Sequence, residues 1–251
     1  MRRFLLPFYL VLSGCVPSAP SDMPSRAQTT SIDGNLPAVK VFTAPRPTPS
    51  YRANSDIARD FLDLAFNLES GRSLPTLTRF EGPISVRVTG RPSAGLGSDL
   101  NRLLHRLRTE AHINIRQNQA DTANITIEAV SRKEIRAMLP QAACFVAPNV
   151  SSLAQYRLAR RTSLVNWTGL KERKRLSIFL PNDASPQEVR DCLHEELAQA
   201  LGPLNDLYRL SDSVFNDDNV HTVLTGFDML ILRAYYDPSL HNGMQKSEVA
   251  K

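Results

Sequence analysis

Hydrophobic residues recur along this chain with two different spacings, and each spacing predicts a different kind of element. Apolar residues three and four positions apart predict amphipathic helices, whereas apolar residues that alternate with polar ones predict half-buried strands. The helical pattern covers 55–70, 98–111, 131–138, 185–202 and 225–236, and the strand pattern covers 84–88, 113–115, 125–130, 143–146 and 176–180. Because both kinds of element are interspersed, we predict an α/β (α+β) domain in which a mixed sheet is backed by helices.

The fourth predicted helix has the clearest boundaries. Ser185 and Glu188 form a capping box, Pro186 takes the first helical position, and Gly202 follows the last helical residue. At 100° per residue, Glu196 falls inside the apolar stripe of this helix. Burial of a carboxylate is costly unless the group is paired, hydrogen-bonded or protonated, so Glu196 is a candidate functional residue.

The N-terminus carries targeting features. Arg2 and Arg3 precede an apolar run over 4–12, which is shorter than the ~20 residues that span a bilayer, so we predict a signal peptide over 1–14. The sequence Leu-Ser-Gly-Cys that ends at Cys15 resembles the lipobox of bacterial lipoproteins. This resemblance implies that Cys15 is lipidated and that acyl chains anchor the protein in the envelope, facing the periplasm. Val16 favours the outer membrane, and an ordinary signal peptide with a chance cysteine is the alternative.

Composition sets the domain organisation. Seven prolines within 16–50 and no apolar periodicity predict a disordered linker over 15–50 that includes the lipidated cysteine. We then predict a single domain over 51–245 and a flexible tail over 246–251. The 251 residues, 42% of them hydrophobic, can bury a core, and a net charge of +5 is too small to indicate nucleic-acid binding.

Two cysteines remain once Cys15 is set aside. Cys144 lies in a predicted strand and Cys192 on the fourth predicted helix, so an oxidising compartment would join them in a disulfide. The bridge would close a 49-residue loop (144 to 192 inclusive), which is worth about 4 kcal/mol in the chain-entropy treatment. Two buried free thiols are the alternative.

The stretch 157–175 carries seven basic side chains. Its simpler interpretation is a solvated surface. The alternative is a docking segment for an anionic partner such as lipid head groups or a polyanionic envelope polymer.

One stretch of the fourth helix and the loop after it resembles, in altered form, the H-E-x-x-H-x-x-G-x-x-H motif of metzincin-type zinc peptidases. By this resemblance Glu196 matches the general base and Gly202 the glycine, whereas Glu195, Gln199 and Asn205 stand at the three metal-ligand positions. One carboxylate and two amides suit zinc poorly, so we expect no zinc. Oxygen ligands suit calcium better, but the aspartates nearby match no EF-hand loop.

Two further stretches extend this likeness. Ser213-Val214-Phe215 resembles the Ser-Ile-Met turn beneath the peptidase metal, with Phe215 in place of Met, and 225–236 resembles the final helix of those enzymes. The runs 191–206 and 212–218 resemble a bacterial lipoprotein family catalogued as domain of unknown function 2927, over roughly 55–245. The resemblances imply a zincin-like fold.

These features favour a non-catalytic, membrane-anchored envelope lipoprotein that binds or scaffolds an envelope protein, a peptide or an anionic polymer. We expect Glu196, Gln199 and Asn205 to form a satisfied buried polar network, and a bound peptide to use an exposed edge strand. One alternative is a hydrolase with Glu196 as general base and an unusual metal or none. Another is a structural protein that docks through 157–175.

Overall fold

The computed structural model of the chain describes residues 22–27, 52–216 and 220–251. The predicted signal peptide, Cys15 and most of the predicted linker lie outside these ranges. Within them, no helix combines the length and the apolar character that crossing a membrane requires.

The described residues form six strands and seven α-helices, which confirms the predicted class. The strands are β1 (Ser25–Ala27), β2 (Ile84–Gly90), β3 (Ile115–Gln117), β4 (Ile125–Val130), β5 (Ala142–Pro148) and β6 (Leu176–Pro181). The helices are α1 (Asn54–Phe66), α2 (Leu96–Thr109), α3 (Arg132–Met138), α4 (Leu153–Ala159), α5 (Pro186–Leu201), α6 (Gly226–Tyr235) and α7 (Lys246–Val249).

All six strands join one mixed sheet in the order β1-β5-β6-β4-β2-β3. The four strands from β6 to β3 are parallel, whereas β5 runs antiparallel to both of its neighbours. Side chains on β5 alternate between two cores. Cys144 and Val146 face the larger core, which includes α5, and Phe145 and Ala147 face the smaller core beneath α3 and α4.

Helix α5 packs against β5, β6 and α2 and is buried on every side from Asp191 to Leu201. The Ser185 side chain caps its first turn, and Gly202 follows its last residue, as predicted. A disulfide between Cys144 and Cys192 joins β5 to this helix. The sheet and α5 are therefore held together by packing and by the predicted covalent link.

Three helical regions differ from the sequence prediction. Helix α1 ends at Phe66, before the predicted stop at Gly71. Helix α4 lies in a stretch without apolar periodicity, where the Ser152 side chain caps it. Helix α7 forms where a flexible tail was predicted, because the Gln245 capping box starts it and Lys246 contacts Asp63 on α1 at 3.3 Å.

Arg173 is not part of a solvated basic surface, which corrects one residue of the predicted docking segment. Its side chain is 2% exposed. Its guanidinium group donates to the main-chain carbonyls of Gln199 (2.6 Å) and Ala200 (2.8 Å), and also to that of Gly202. A cation at this place stabilises the C-terminal end of α5, where carbonyl groups lack helical partners.

Strand β1 lies within the stretch predicted to be a linker. Its register places Ser25 opposite Phe145, Arg26 opposite Cys144 and Ala27 opposite Ala142. The strand covers the edge of β5 that would otherwise be free, and it therefore brings residues from the N-terminal stretch next to α5.

Candidate functional site

The candidate site lies where β1 crosses α5. Residues that stand opposite each other on neighbouring strands point to the same face of the sheet. Arg26 is opposite Cys144, whose side chain is bonded to α5, so the Arg26 side chain also points at that helix. The arginine is 4% exposed, and its charge is therefore buried in the protein interior.

The arginine contacts three carboxylates of α5. One nitrogen of its guanidinium group makes a short ion pair with Glu195, and the other lies 3.9 Å from Asp191. The main-chain nitrogen of Arg26 donates to Glu196 Oε1 at 3.3 Å. Asp191 and Glu195 are four residues apart and therefore lie on the same face of the helix.

A fourth carboxylate completes the cluster from the turn after α1. The two oxygens of Glu69 each lie 3.3 Å from the main-chain nitrogen of Ser25, and Oε1 also accepts from Gln199 Nε2 at 2.9 Å. We call Glu69, Asp191, Glu195 and Glu196 the acidic pocket. Gln199 lies four residues beyond Glu195, so the amide extends the same face of α5.

Electrostatics in the acidic pocket favour the protonated form of some acids. Burial, followed by repulsion from Glu195, raises the pKa of Glu196 well above its usual range. Burial, followed by repulsion from Asp206, does the same to the pKa of Glu69. For Arg26, burial opposes the charge, but the carboxylates of Glu195 and Asp191 outweigh it and raise its pKa. The guanidinium stays charged, and its positive charge offsets the repulsion among the carboxylates.

The predicted polar network of Glu196, Gln199 and Asn205 does not form, because no hydrogen bond joins any two of these side chains. Glu196 is fully buried, as its place in the apolar stripe indicates. Asn205, however, donates to the main-chain carbonyl of Asp63 at 3.1 Å and so belongs to the contact between α1 and the loop after α5. Glu196 Oε2 and Gln199 Oε1 have no hydrogen-bond partner among the described residues, so the network is not satisfied as we expected.

The residues at the metal-ligand positions do not fit a metal ion. Glu195 pairs with a guanidinium, the Gln199 amide donates to Glu69, and Asn205 faces away toward α1. Throughout the described part of the chain, no three His, Cys, Asp or Glu side chains are arranged to hold a metal. We therefore derive no chemistry through a metal at this place.

The predicted turn at Ser213 and Phe215 is anchored to the start of α6. Ser213 Oγ donates to Asp228 Oδ1 at 2.5 Å, and it accepts from the main-chain nitrogen of Phe215 at 3.0 Å. Asp228 also accepts from the main-chain nitrogen of Thr225, which caps α6. Phe215 is buried, so the turn packs into the core.

His194 lies on the opposite side of α5 from the acidic pocket. Its Nδ1 accepts from the main-chain nitrogen of Leu224 at 3.2 Å. Burial, helped by Arg106 and Arg190, lowers its pKa to about 3, so the imidazole is neutral at physiological pH. It has a structural role and takes no part in the site.

Arg26 and Glu69 were not predicted as site residues from the sequence. Arg26 belongs to no periodic segment and is 169 positions from Glu195. Glu69 lies near the end of the first predicted helix, which is also far from α5 in the sequence. One signal was available, since Asp191 and Glu195 are four residues apart on a buried helix and require a cation. The spacing therefore predicts a buried cation beside α5, but it does not predict which residue provides it.

Comparison with known proteins gives a family without an activity. Residues 54–251 match the family described as "Protein of unknown function (DUF2927)". No curated protein and no solved structure matches the chain.

Proposed function

We propose that this chain, which belongs to the DUF2927 family, is a lipid-anchored lipoprotein of the bacterial cell envelope whose domain binds an extended peptide without catalysing a reaction. The lipobox-like sequence at Cys15 supports the anchor, with the domain facing the periplasm and the outer membrane favoured. The zincin-like fold remains part of this proposal, and it is supported by the spacing of Glu196 and Gly202.

One observation carries the binding function. Strand β1 already adds to the edge of β5 as an extended segment, and its central side chain enters the acidic pocket. Addition of a strand to a sheet edge is a general way to bind peptides, because main-chain hydrogen bonds give affinity and side-chain pockets give specificity. The site therefore has the geometry that an extended polypeptide needs.

The chemistry of Glu196 favours binding over hydrolysis. Glu196 is fully buried, and burial raises its pKa, whereas a general base must lie within hydrogen-bond reach of the proton that it removes. The main-chain nitrogen of Arg26 also occupies one of its two oxygens. Docking through 157–175, the alternative function, cannot use Arg173, which is buried. It would depend on the exposed basic residues of this stretch.

Binding can be tested with the purified chain carrying Cys15→Ser and labelled with ¹⁵N. We expect a pool of randomised octapeptides at millimolar concentration to shift the amide signals of β5, and the peptides to remain intact. Cleavage of the peptides that Glu196→Gln abolishes would support the hydrolase instead. An unchanged β5 spectrum at saturating peptide would contradict binding.

The anchor needs a separate experiment in cells. We expect labelled palmitate to be incorporated into the wild-type chain and lost in Cys15→Ser, which should then leave the membrane fraction. Equal labelling of the two chains would contradict lipidation at Cys15.

A further inference from the structure

We infer that the acidic pocket recognises the arginine side chain of an extended peptide, and that residues 22–27 are an internal ligand which such a peptide displaces. This inference rests on the proposed peptide-binding function and adds the side chain that the site selects.

The charges of the acidic pocket require a cation. Four carboxyl groups converge there, and the guanidinium group of Arg26 pairs with two of them, those of Asp191 and Glu195. Main-chain nitrogens of β1 donate to Glu196 and Glu69. Repulsion among the acids contributes to the raised pKa of both Glu69 and Glu196. A guanidinium presents five donors in one plane and remains charged when buried, whereas an ammonium is a more strongly hydrated point charge. The pocket therefore favours arginine over lysine.

The main-chain contacts of β1 do not depend on its sequence. Three residues pair with β5, and the register shifts between Arg26 and Ala27. So short a strand is held by few hydrogen bonds, and any extended segment could replace them. Specificity then resides in Arg26, the one side chain of this segment that enters the acidic pocket.

A cavity beside β1 offers contacts that the internal segment uses only in part. It has a volume of about 430 Å³, and Asp22 and Met23 are among the residues that line it. Tyr156, Trp167 and Arg160 also line it. A tethered segment has an effective concentration on the order of millimolar, so a free ligand must gain extra contacts to displace it. A peptide with a larger side chain N-terminal to its arginine could gain them in this cavity.

The test uses the full chain with Cys15→Ser and a labelled peptide, acetyl-Asp-Met-Pro-Ser-Arg-Ala-amide, which copies residues 22–27. In fluorescence anisotropy, Arg26→Ala should bind this peptide at least about tenfold more tightly than the unsubstituted chain, because its internal ligand is weakened. Arg59→Ala removes an exposed arginine of α1 and should behave like the unsubstituted chain. Adding Glu195→Gln to Arg26→Ala should weaken the binding again.

Substituted peptides separate this inference from the proposed function. Replacing the peptide arginine by alanine should weaken binding to Arg26→Ala by at least about tenfold, and lysine should give an intermediate value. Equal binding of the arginine and alanine peptides would overturn arginine recognition and leave edge-strand binding intact. Binding of neither peptide by folded Arg26→Ala would overturn both.

A second measurement covers the case in which Arg26→Ala does not fold. When saturating peptide is added to the unsubstituted chain, hydrogen exchange should accelerate at the amides of Ser25 and Arg26, while β5 stays protected. Unchanged exchange of these two amides would overturn the displacement.

Discussion

Replacing Arg173 by methionine tests how the C-terminal end of α5 is held beneath the site. The guanidinium group donates to the carbonyls of Gln199 and Ala200 at 2.6 and 2.8 Å, and to that of Thr78 at 3.0 Å. Among the described residues no carboxylate forms an ion pair with Arg173. The partial negative charge at the C-terminal end of α5 compensates its positive charge instead. Methionine keeps most of the buried stem and removes every donor.

Two opposing effects set the magnitude. Each buried carbonyl that loses a charged donor costs about 1 kcal/mol or more, and the loss of a cation at the helix end costs up to about 2 kcal/mol. Removal of a buried charge returns part of this, because the folded chain no longer has to desolvate it. We therefore expect Arg173→Met to lower the free energy of unfolding by about 3 kcal/mol. For a domain of this size the midpoint temperature should fall by about 6–12 °C.

Urea unfolding of the oxidised protein, followed by far-ultraviolet circular dichroism, measures this difference. Lys174→Met is the matched control, since the side chain of Lys174 is 74% exposed. We expect it to change the free energy of unfolding by less than about 0.5 kcal/mol. A loss below about 1 kcal/mol for Arg173→Met would refute the idea that Arg173 fixes the helix end.

Two further predictions concern packing and pH. Gly202→Ala should lower the free energy of unfolding by about 1–3 kcal/mol, because its Cβ would lie 2.8 Å from the ring of buried Tyr235. The control is Gly97→Ala on α2, whose Cβ would meet no atom within 4 Å and which should change thermal stability little or raise it. An equal loss of stability in both variants would contradict the clash. Stability should fall as pH rises above the usual Glu196 pKa of 4.5, because burial raises that pKa and the folded state keeps a proton that the unfolded state releases. Neutral His194 has the opposite effect between its folded pKa of about 3 and its usual 6.5, but both chains share this contribution. The difference in urea midpoint between the unsubstituted chain and Glu196→Gln therefore isolates Glu196, and it should change as pH rises above 4.5. Parallel curves would contradict this prediction.

Elements with a strong local pattern could be predicted from the sequence. Strand β4 has the predicted bounds, because its apolar residues alternate with Thr126 and Glu128 over one short segment. Helix α5 was predictable from its Ser185 cap, proline and glycine, although the Glu188 side chain pairs with Arg132 and does not complete the predicted capping box. Its buried Glu196 was predictable from the helical period. In each case, the residues that carry the sequence pattern are the same few residues that form the element.

Features that depend on distant contacts could not be predicted. Strand β1 has three residues and no apolar alternation, and it forms because β5 offers an edge and α5 offers carboxylates. Arg173 appears in the sequence as one member of a basic run, although it alone turns inward to cap α5. A lysine or arginine that closes a helix end from another element leaves no periodic signal.

The position of β1 relative to Cys15 links the two proposals made for this chain. Ser25 lies ten positions after Cys15, so an anchored chain with β1 in place would keep the acidic pocket within about 35 Å of the bilayer. When a peptide displaces β1, α1 remains in the domain, and it begins 39 positions after Cys15 at Asn54. A chain of 39 residues can span at most about 130 Å. Occupation of the acidic pocket by an external arginine would therefore also set how far the domain extends from the membrane.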